Sequence, residues 1–335
     1  MNSLLRGSPA SNHTPTPEQT AVKIDKPGPR AIQSARGSNC LKDLSPAEKS
    51  MISGFVRLLG VTTFIVVLQA IASAQQRPLL TEDVDIIKPG VIRIETGFEF
   101  LQNQRFPLSG LRGDVTKLAD TRLSFGLAPN VEFQIEWTFQ NFLSIKSRGP
   151  SAIPLKLGAN QSDTNDVGDA RLWMKIKLRN ESHLTPAVGF RFGVELPNSN
   201  QARGIGTNTT SFFGMITAGK RVGEKLNIFG NLGLGILTAP LEATSQNDVL
   251  LYGLAGTYAA SDRLNVVGEV GGFHSTRKTA PLGTEDFSEA RLGAQIRALG
   301  VRWYAAGVFG ISKRAPKTGL AVGITYDWDA FNPIK

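Results

Sequence analysis

Residues 131–141 read VEFQIEWTFQN, and this stretch decides the fold class. Apolar side chains occupy every second position from Val131 to Phe139, and polar side chains occupy the positions between them. Successive side chains of a β-strand point to opposite faces, so the stretch predicts a strand with one apolar and one polar face. A soluble β-sandwich contains similar strands, and one strand therefore does not distinguish a sandwich from a membrane barrel.

The same alternation recurs along the chain. Further strands are predicted near 92–100, 114–127, 171–178, 188–196, 209–220, 226–237, 248–259, 264–273, 287–298, 301–310 and 318–328. With 131–141 they make about twelve strands, and bacterial outer-membrane barrels have an even number.

The connections between these strands alternate in length. Short turns are predicted at 128–130, 180–186, 221–225, 260–263 and 299–300. Longer polar loops are predicted near 103–112, 143–166, 197–208, 238–247, 274–286 and 311–317. Short periplasmic turns and long extracellular loops are typical of outer-membrane barrels. The sequence therefore predicts an all-β fold, a closed antiparallel transmembrane β-barrel of about 12 strands with both termini in the periplasm.

A targeting segment precedes the barrel. Residues 51–74 combine Arg57, an apolar run over 58–71 and the small-residue end Ala72-Ser73-Ala74, which predicts a signal peptide cleaved before Gln75. The apolar run is shorter than the ~20 residues that a transmembrane helix needs. We expect residues 1–50 to be a disordered extension or an incorrectly assigned start, residues 75–335 to form the barrel, and the protein to be exported to the bacterial outer membrane.

Composition excludes several functional classes. The one cysteine, Cys40, precedes the barrel, and His13, His183 and His274 lack metal-site spacing, so we expect no disulfide, metal or cofactor. The net charge of +9 is spread over interleaved signs, which argues against a nucleic-acid partner. The expected partners are outer-membrane lipid, the barrel-assembly machinery during biogenesis and a small-molecule solute.

The polar strand faces supply candidates for lining the lumen. These residues are Arg93, Glu95, Glu99, Glu132, Glu136, Arg171, Lys175, Lys177, Arg191, Glu195, Glu269, Glu289 and Arg291. They could form a polar channel whose charges set solute preference. They could equally fill a narrow barrel as a salt-bridged plug. About fifteen residues precede the first strand, too few for the plug of a gated receptor.

The last predicted strand carries a candidate assembly signal. Leu320, Val322, Ile324, Tyr326 and Trp328 share one face. The stretch resembles the C-terminal signal that the barrel-assembly machinery reads, with Gly323, Tyr326 and Trp328 at the matching positions, although residues 329–335 follow it. Tyr326 and Trp328 also suit the membrane interface.

Several segments resemble the outer-membrane family of meta-pathway phenol-degradation proteins, whose members are also called transporters. The matching pieces cover about half of residues 75–335: Gly168-Asp169 leading to Leu172 and Lys175, PAVGFRFGVELP at 186–197, 226–235 and 252–269. The resemblance implies a barrel used for uptake of hydrophobic or aromatic compounds.

The sequence therefore favours a porin-like barrel for passive passage or uptake of small molecules. One alternative is a structural barrel with a salt-bridged, closed lumen. A second is an outer-membrane lipid hydrolase, for which the adjacent pair His274-Ser275 is the candidate. Neighbouring side chains of a strand point to opposite faces, so this pair does not suit a nucleophile and its base, and we expect no enzyme. Glu132 and Glu136 could be imagined as an acid and base, but any polar lumen needs such charges.

Overall fold

A computed structural model of the protein describes residues 77–242 and 245–332. The predicted extension over 1–50 and the predicted signal peptide over 51–74 lie outside the described residues, as do Cys40 and His13. Among the described residues, no helix is long and apolar enough to cross a membrane.

Thirteen strands are formed by the described residues, and twelve of them close a barrel. The strands are β1 (Val91–Phe106), β2 (Leu111–Ala128), β3 (Val131–Arg148), β4 (Asp163–Asp166), β5 (Arg171–Arg179), β6 (Ala187–Glu195), β7 (Ser211–Val222), β8 (Leu226–Thr238), β9 (Gln246–Ala259), β10 (Leu264–Ser275), β11 (Phe287–Ala298), β12 (Val301–Gly310) and β13 (Thr318–Asp329). Each barrel strand pairs with its neighbours in antiparallel fashion, β1 pairs with β13, and β4 pairs only with the end of β3. The predicted closed antiparallel barrel is thereby confirmed.

The outer surface of the barrel is an apolar belt. Large apolar side chains project from almost every strand, including Phe98, Leu118, Phe139, Phe190, Phe212, Leu232, Leu254, Leu292 and Leu320. A water-soluble protein rarely exposes so large a continuous apolar surface. Tyr258, Trp303, Tyr326 and Trp328 are exposed near the end with short turns, where aromatic rings mark a membrane interface.

The first strands, β1 to β4, differ in several details from the sequence prediction. β1 ends at Phe106 and β2 begins at Leu111, so the predicted loop over 103–112 shrinks to four residues. β3 continues to Arg148, and β4 lies inside the predicted loop over 143–166. Ala119 of β2 has a positive φ and forms a bulge between the pairs Gly97–Asp120 and Phe98–Leu118. A bulge shifts the alternation, so the side chains that follow it point to the opposite face from the one that a strict period of two assigns.

A tyrosine covers the seam where the barrel closes. Gly97 of β1 faces Gly323 of β13, and Tyr304 of β12 lies over both. A Cβ atom at either glycine would collide with the Tyr304 hydroxyl. Gly323, a member of the candidate assembly signal, is therefore required by packing at this seam, whereas Tyr326 and Trp328 lie on the outer face.

Loop residues fold into the mouth of the barrel at the end with long loops. Leu155, Leu157 and Ile205 pack against an apolar cluster of β1, β2, β3, β12 and β13 that includes Leu101, Leu111 and Leu143. The lumen is consequently narrowed on this side, and open space remains against the opposite wall.

Candidate functional site

The residues before β1 enter the barrel. Residues 77–87, here called the lumenal segment, cross the lumen on the half nearer the short turns. Leu79 is fully buried in a cluster with Phe229, Ala255 and Val267 of the wall, and Val84 is buried as well. The expectation that too few residues precede the first strand for a gated receptor's plug did not anticipate this: the segment is short, yet it occupies the lower lumen.

Backbone groups of the lumenal segment are bonded to wall side chains around the barrel. The carboxylate of Glu269 accepts from the amides of Leu80 and Thr81 at 2.8 and 2.7 Å. Asn231 accepts from the Glu82 amide at 2.6 Å and donates to the Glu82 carbonyl oxygen at 2.7 Å. Buried backbone amides and carbonyls need such partners, and these wall residues supply them.

The segment begins and ends with similar contacts. The Arg77 amide donates to Glu95 at 3.1 Å, and its carbonyl oxygen accepts from Gln295 at 2.7 Å. The Arg77 guanidinium pairs with Asp120. At the other end the Ile87 amide donates to Glu132 at 3.0 Å. The segment is thus tied to β1, β2, β3, β8, β10 and β11.

Glu82 is the charged centre of the lower lumen. Lys175 donates to its Oε1 at 2.7 Å, and Gln134 donates to the same oxygen at 3.0 Å. Arg122 and Arg191 lie 3.6 Å from its Oε2. One segment carboxylate therefore stands among three wall cations, all of them buried.

The part of the segment nearest the short turns makes a second set of polar contacts with the wall. Asp85 accepts from Lys177 at 2.9 Å and from Arg221 at 2.6 Å, and Asp83 accepts from Asn227 at 3.0 Å. Lys177 and Arg221 are partly exposed, so these bonds are made beside water rather than in the interior. Such pairs contribute less than the buried pairs around Glu82.

A cavity of about 490 Å³ lies above the lumenal segment. Leu80 and Thr81 form part of its floor, and loop residues such as Thr207, Thr284 and Arg314 line its other end. An apolar wall runs across β7 to β10 and consists of Phe213, Met215, Leu237, Leu251 and Phe273. We call this space the upper cavity.

An aromatic corner joins the upper cavity to the charge network. Trp173 packs against Phe213 with ring centroids 5.4 Å apart, and the Arg191 guanidinium lies 3.9 Å from the Trp173 ring. The indole nitrogen donates to Glu136 at 3.1 Å. Trp173 can lie flat because the facing residue is Gly193, where a Cβ would collide with the ring.

The structure places the candidate lumen residues in two groups. The first group touches the lumenal segment, directly or through one partner, and consists of Glu95, Glu99, Glu132, Glu136, Lys175, Lys177, Arg191, Glu269, Glu289 and Arg291. Arg93 belongs to neither group and pairs with Asp327 of β13 at 2.7 Å. The second group lies higher, where Arg171 and Glu195 pair with each other at 2.6 Å beside the upper cavity.

Several residues of the site were missed by the sequence reasoning. They are the lumenal segment itself, Asp120 and Arg122 after the Ala119 bulge, Gln134, Asn227, Asn231, Trp173 and Arg314. The run TEDVD at 81–85 was the available signal, since an acidic stretch beside a basic lumen face invites pairing. Arg314 lies in a loop, where no alternation of polar and apolar residues indicates the direction in which a side chain points.

The barrel wall is interrupted beside the upper cavity. β3 pairs with β5 up to Glu136 and with β4 from Asn141, and between them the Gly168 amide donates to the Thr138 carbonyl oxygen at 2.9 Å. Trp137, Thr138 and Gly168 all line the cavity. At this position, here called the β3–β5 gap, the ladder that joins β3 to β5 and β4 is interrupted.

The His274-Ser275 pair is divided between two faces. Ser275 is buried and donates to Asn247 at 3.0 Å. His274 is exposed, and its Nδ1 lies 2.7 Å from the Asp286 carboxylate. Within residues 77–242 and 245–332, no group of three or more His, Cys, Asp or Glu residues could hold a metal ion.

Comparison with known proteins shows the fold. No protein-family model matches the sequence, and no curated protein matches it. Similar solved structures include an outer-membrane channel from Pseudomonas putida F1, with a TM-score of 0.53 and 13% identity over 73% of this chain and 98% of that chain. The NanC porin has a TM-score of 0.44 and 8% identity over 70% of this chain and 98% of its own.

The translocator domain of the autotransporter NalP from Neisseria meningitidis has a TM-score of 0.43 and 10% identity over 83% of this chain and 97% of its own. The channel from Pseudomonas shares the fold, and the porin and the translocator are too distant to support an argument. The chain therefore has the fold of bacterial outer-membrane β-barrels.

Proposed function

We propose that this barrel is an outer-membrane channel for small molecules. The observation that carries the proposal is the upper cavity, which lies between the long loops and the lumenal segment. A solute that enters past the loops meets a space of about 490 Å³ before it reaches the constriction. The similar Pseudomonas protein is an outer-membrane channel, which supports the proposed channel function.

The solute we propose is small and hydrophobic or aromatic. The resemblance to the meta-pathway phenol-degradation family favours it, and the apolar wall formed by Phe213, Met215 and the residues beside them suits it. Apolar lining with a few placed polar groups is typical of small-molecule sites.

The surroundings of the barrel are part of the proposal. We propose that the chain is exported through the signal peptide at 51–74 and inserted by the barrel-assembly machinery, with lipid around the apolar belt. The short turns and the end of β13 would then face the periplasm, and the long loops would face outward.

Single-channel conductance of the full chain in a planar bilayer tests the channel. The decisive variant replaces residues 79–87 with a Gly-Ser sequence of equal length. We expect small current steps from the native chain and steps several-fold larger from the variant, because the variant removes the side chains that fill the lower lumen. A matched control replaces residues 276–282, an exposed loop outside the cavity lining, and should conduct like the native chain.

Silence from both the native chain and the segment variant, with intact folded barrels, would support the structural barrel with a closed lumen instead. The network around Glu82 is the observation that favours that alternative. Equal current from both would show that the lumenal segment does not constrict the path.

Entry through the wall is a second candidate route, and the β3–β5 gap favours it. A disulfide between Thr138→Cys and Gly168→Cys would staple the gap, where the two residues already approach closely. Loss of hydrophobic-solute uptake on oxidation, with unchanged ion conductance, would support lateral entry. Unchanged uptake after the disulfide has formed would support entry along the barrel axis, past the long loops.

We propose that the protein is not a hydrolase, because Ser275 and His274 face opposite sides of the wall. Purified chain should release no fatty acid from phospholipid vesicles above the level of a Ser275→Ala variant. Release that disappears in the variant would overturn this.

A further inference from the structure

The cations that line the upper cavity are almost all paired with carboxylates. Lys117 pairs with Glu99 at 2.9 Å, Arg171 with Glu195 at 2.6 Å, and Arg291 with Glu99 and Glu289 at 2.7 Å. Arg77, Arg122 and Arg191 have carboxylate partners as well. These charges are neutralised within the protein and have little left to offer a solute.

Arg314 differs from them. It lies in the loop between β12 and β13 and lines the cavity. Among the described residues, no carboxylate oxygen lies within 4.0 Å of its guanidinium, and its one hydrogen bond is a long one, 3.4 Å to the Glu285 carbonyl oxygen. Burial lowers the pKa of Arg314, while Glu285 and Glu195 oppose that change from a distance. Arg314 is half-buried, and a guanidinium taken partly out of water is more stable when an anion lies close to it.

The same cavity has an uncharged side. Phe213, Met215, Leu237, Leu251 and Phe273 present a continuous apolar surface on four adjacent strands. A ligand that satisfies both sides needs one apolar part and one anionic group. The cavity volume of about 490 Å³ falls within the range of small-molecule sites.

We propose that the upper cavity binds a small amphipathic carboxylate, with the carboxylate on Arg314 and the apolar part against the wall of β7 to β10. This inference rests on the proposed channel function and names the class of solute that the channel selects. A guanidinium binds a carboxylate through two parallel N–H···O bonds, a geometry that a neutral hydroxyl does not reproduce.

Calorimetric titration of the full chain in detergent tests the site, with benzoate and benzyl alcohol as probes of similar size. We expect benzoate to bind at least tenfold more tightly than benzyl alcohol. Arg314→Ala should abolish this preference and leave benzyl alcohol binding unchanged, and Arg314→Lys should restore it only in part. The control Arg277→Ala removes an equal charge from an exposed loop outside the cavity lining and should bind like the native chain.

Equal affinities for the two probes, or benzoate binding that survives Arg314→Ala, would overturn the inference. In that case Arg314 serves the loop, for example by closing on Glu285, whose Oε1 has no hydrogen-bond partner among the described residues. The channel itself is judged separately by the conductance of the same preparations. Conductance without benzoate preference rejects the site alone, and a folded but silent barrel rejects the channel.

Discussion

The lower lumen and the upper cavity are built on the same strands but are filled in opposite ways. Below, the lumenal segment brings carboxylates and backbone groups that form hydrogen bonds and ion pairs with the wall, and these groups fill most of the space. Above, the wall carries apolar side chains and one cation without a close carboxylate, and the space stays open. The difference teaches that buried charges fill a barrel lumen when each charge has a partner, and the cation without a close carboxylate is where we propose that a solute binds.

The largest expected effect comes from removing the charge at the centre of the lower lumen. Glu82→Gln leaves Lys175, Arg122 and Arg191 buried without their shared carboxylate, which costs about 3–5 kcal/mol when a buried pair is broken. Urea unfolding in detergent should show that fall in the free energy of unfolding, and conductance should rise as the segment loosens.

Asp85→Asn is the matched control, because its partners Lys177 and Arg221 are partly exposed. It should cost about 1 kcal/mol or less. Equal losses in the free energy of unfolding from the two variants would mean that the surroundings of Glu82 are as accessible to water as those of Asp85. The contrast between a buried and a hydrated set of ion pairs would then be wrong.

Two adjacent leucines of the lumenal segment provide the next comparison between the lower lumen and the upper cavity. Leu79 is fully buried beneath Phe229 and Val267, whereas Leu80 is partly exposed in the floor of the upper cavity. Leu79→Ala should lower the free energy of unfolding by about 2–5 kcal/mol, because it leaves a cavity in a closed space. Leu80→Ala should change it by about 0.5 kcal/mol or less. A larger loss of stability from Leu80→Ala than from Leu79→Ala would mean that Leu80, and not Leu79, is the buried residue of the segment.

A smaller effect is expected from crowding the segment. A Cβ at Gly253 would lie 2.6 Å from the Thr81 hydroxyl oxygen, so Gly253→Val should displace the segment at a cost of about 1–3 kcal/mol and raise conductance. Gly256→Val, whose Cβ meets only a backbone oxygen at 3.8 Å, serves as the control. Unchanged conductance in the Gly253 variant would show that Thr81 does not lie in the path.

The smallest expected effect on stability lies beside the upper cavity. Arg171→Ala removes a partly exposed pair with Glu195, which is worth about 0–1 kcal/mol. Reversal potentials across a salt gradient should nevertheless shift toward cations, because Glu195 is left unpaired beside the upper cavity. A large loss of stability with no shift in ion preference would assign Arg171 to packing alone.

The sequence predicts the wall of the barrel better than its contents. Alternation from Val131 to Phe139 assigns inward and outward faces because lipid and lumen impose a strict period of two. The bulge at Ala119 breaks that period inside the predicted strand over 114–127. Asp120 and Arg122, which follow the bulge, were missed for the same reason.

The lumenal segment and Arg314 lie outside the strands, so the alternation of polar and apolar residues does not predict their positions. The segment is placed by partners far along the chain, such as Glu269 for Leu80 and Gln295 for Arg77. A local pattern does not encode such pairings, although the acidic run at 81–85 shows the charge that the lower lumen needs. Arg314 is informative only because its neighbours lack a carboxylate within reach, which is a property of three-dimensional placement.

The contacts of the lumenal segment also constrain the order of assembly. Its partners are spread from β1 to β11, with sequence separations that reach 218 residues. Contacts between residues so far apart form late, because the intervening chain must first be ordered. The binding surface for the segment exists only once β1 meets β13 beneath Tyr304. Docking of residues 77–87 is therefore expected to be the final step of folding, so that a nascent barrel passes through a short-lived form whose lumen is open from end to end.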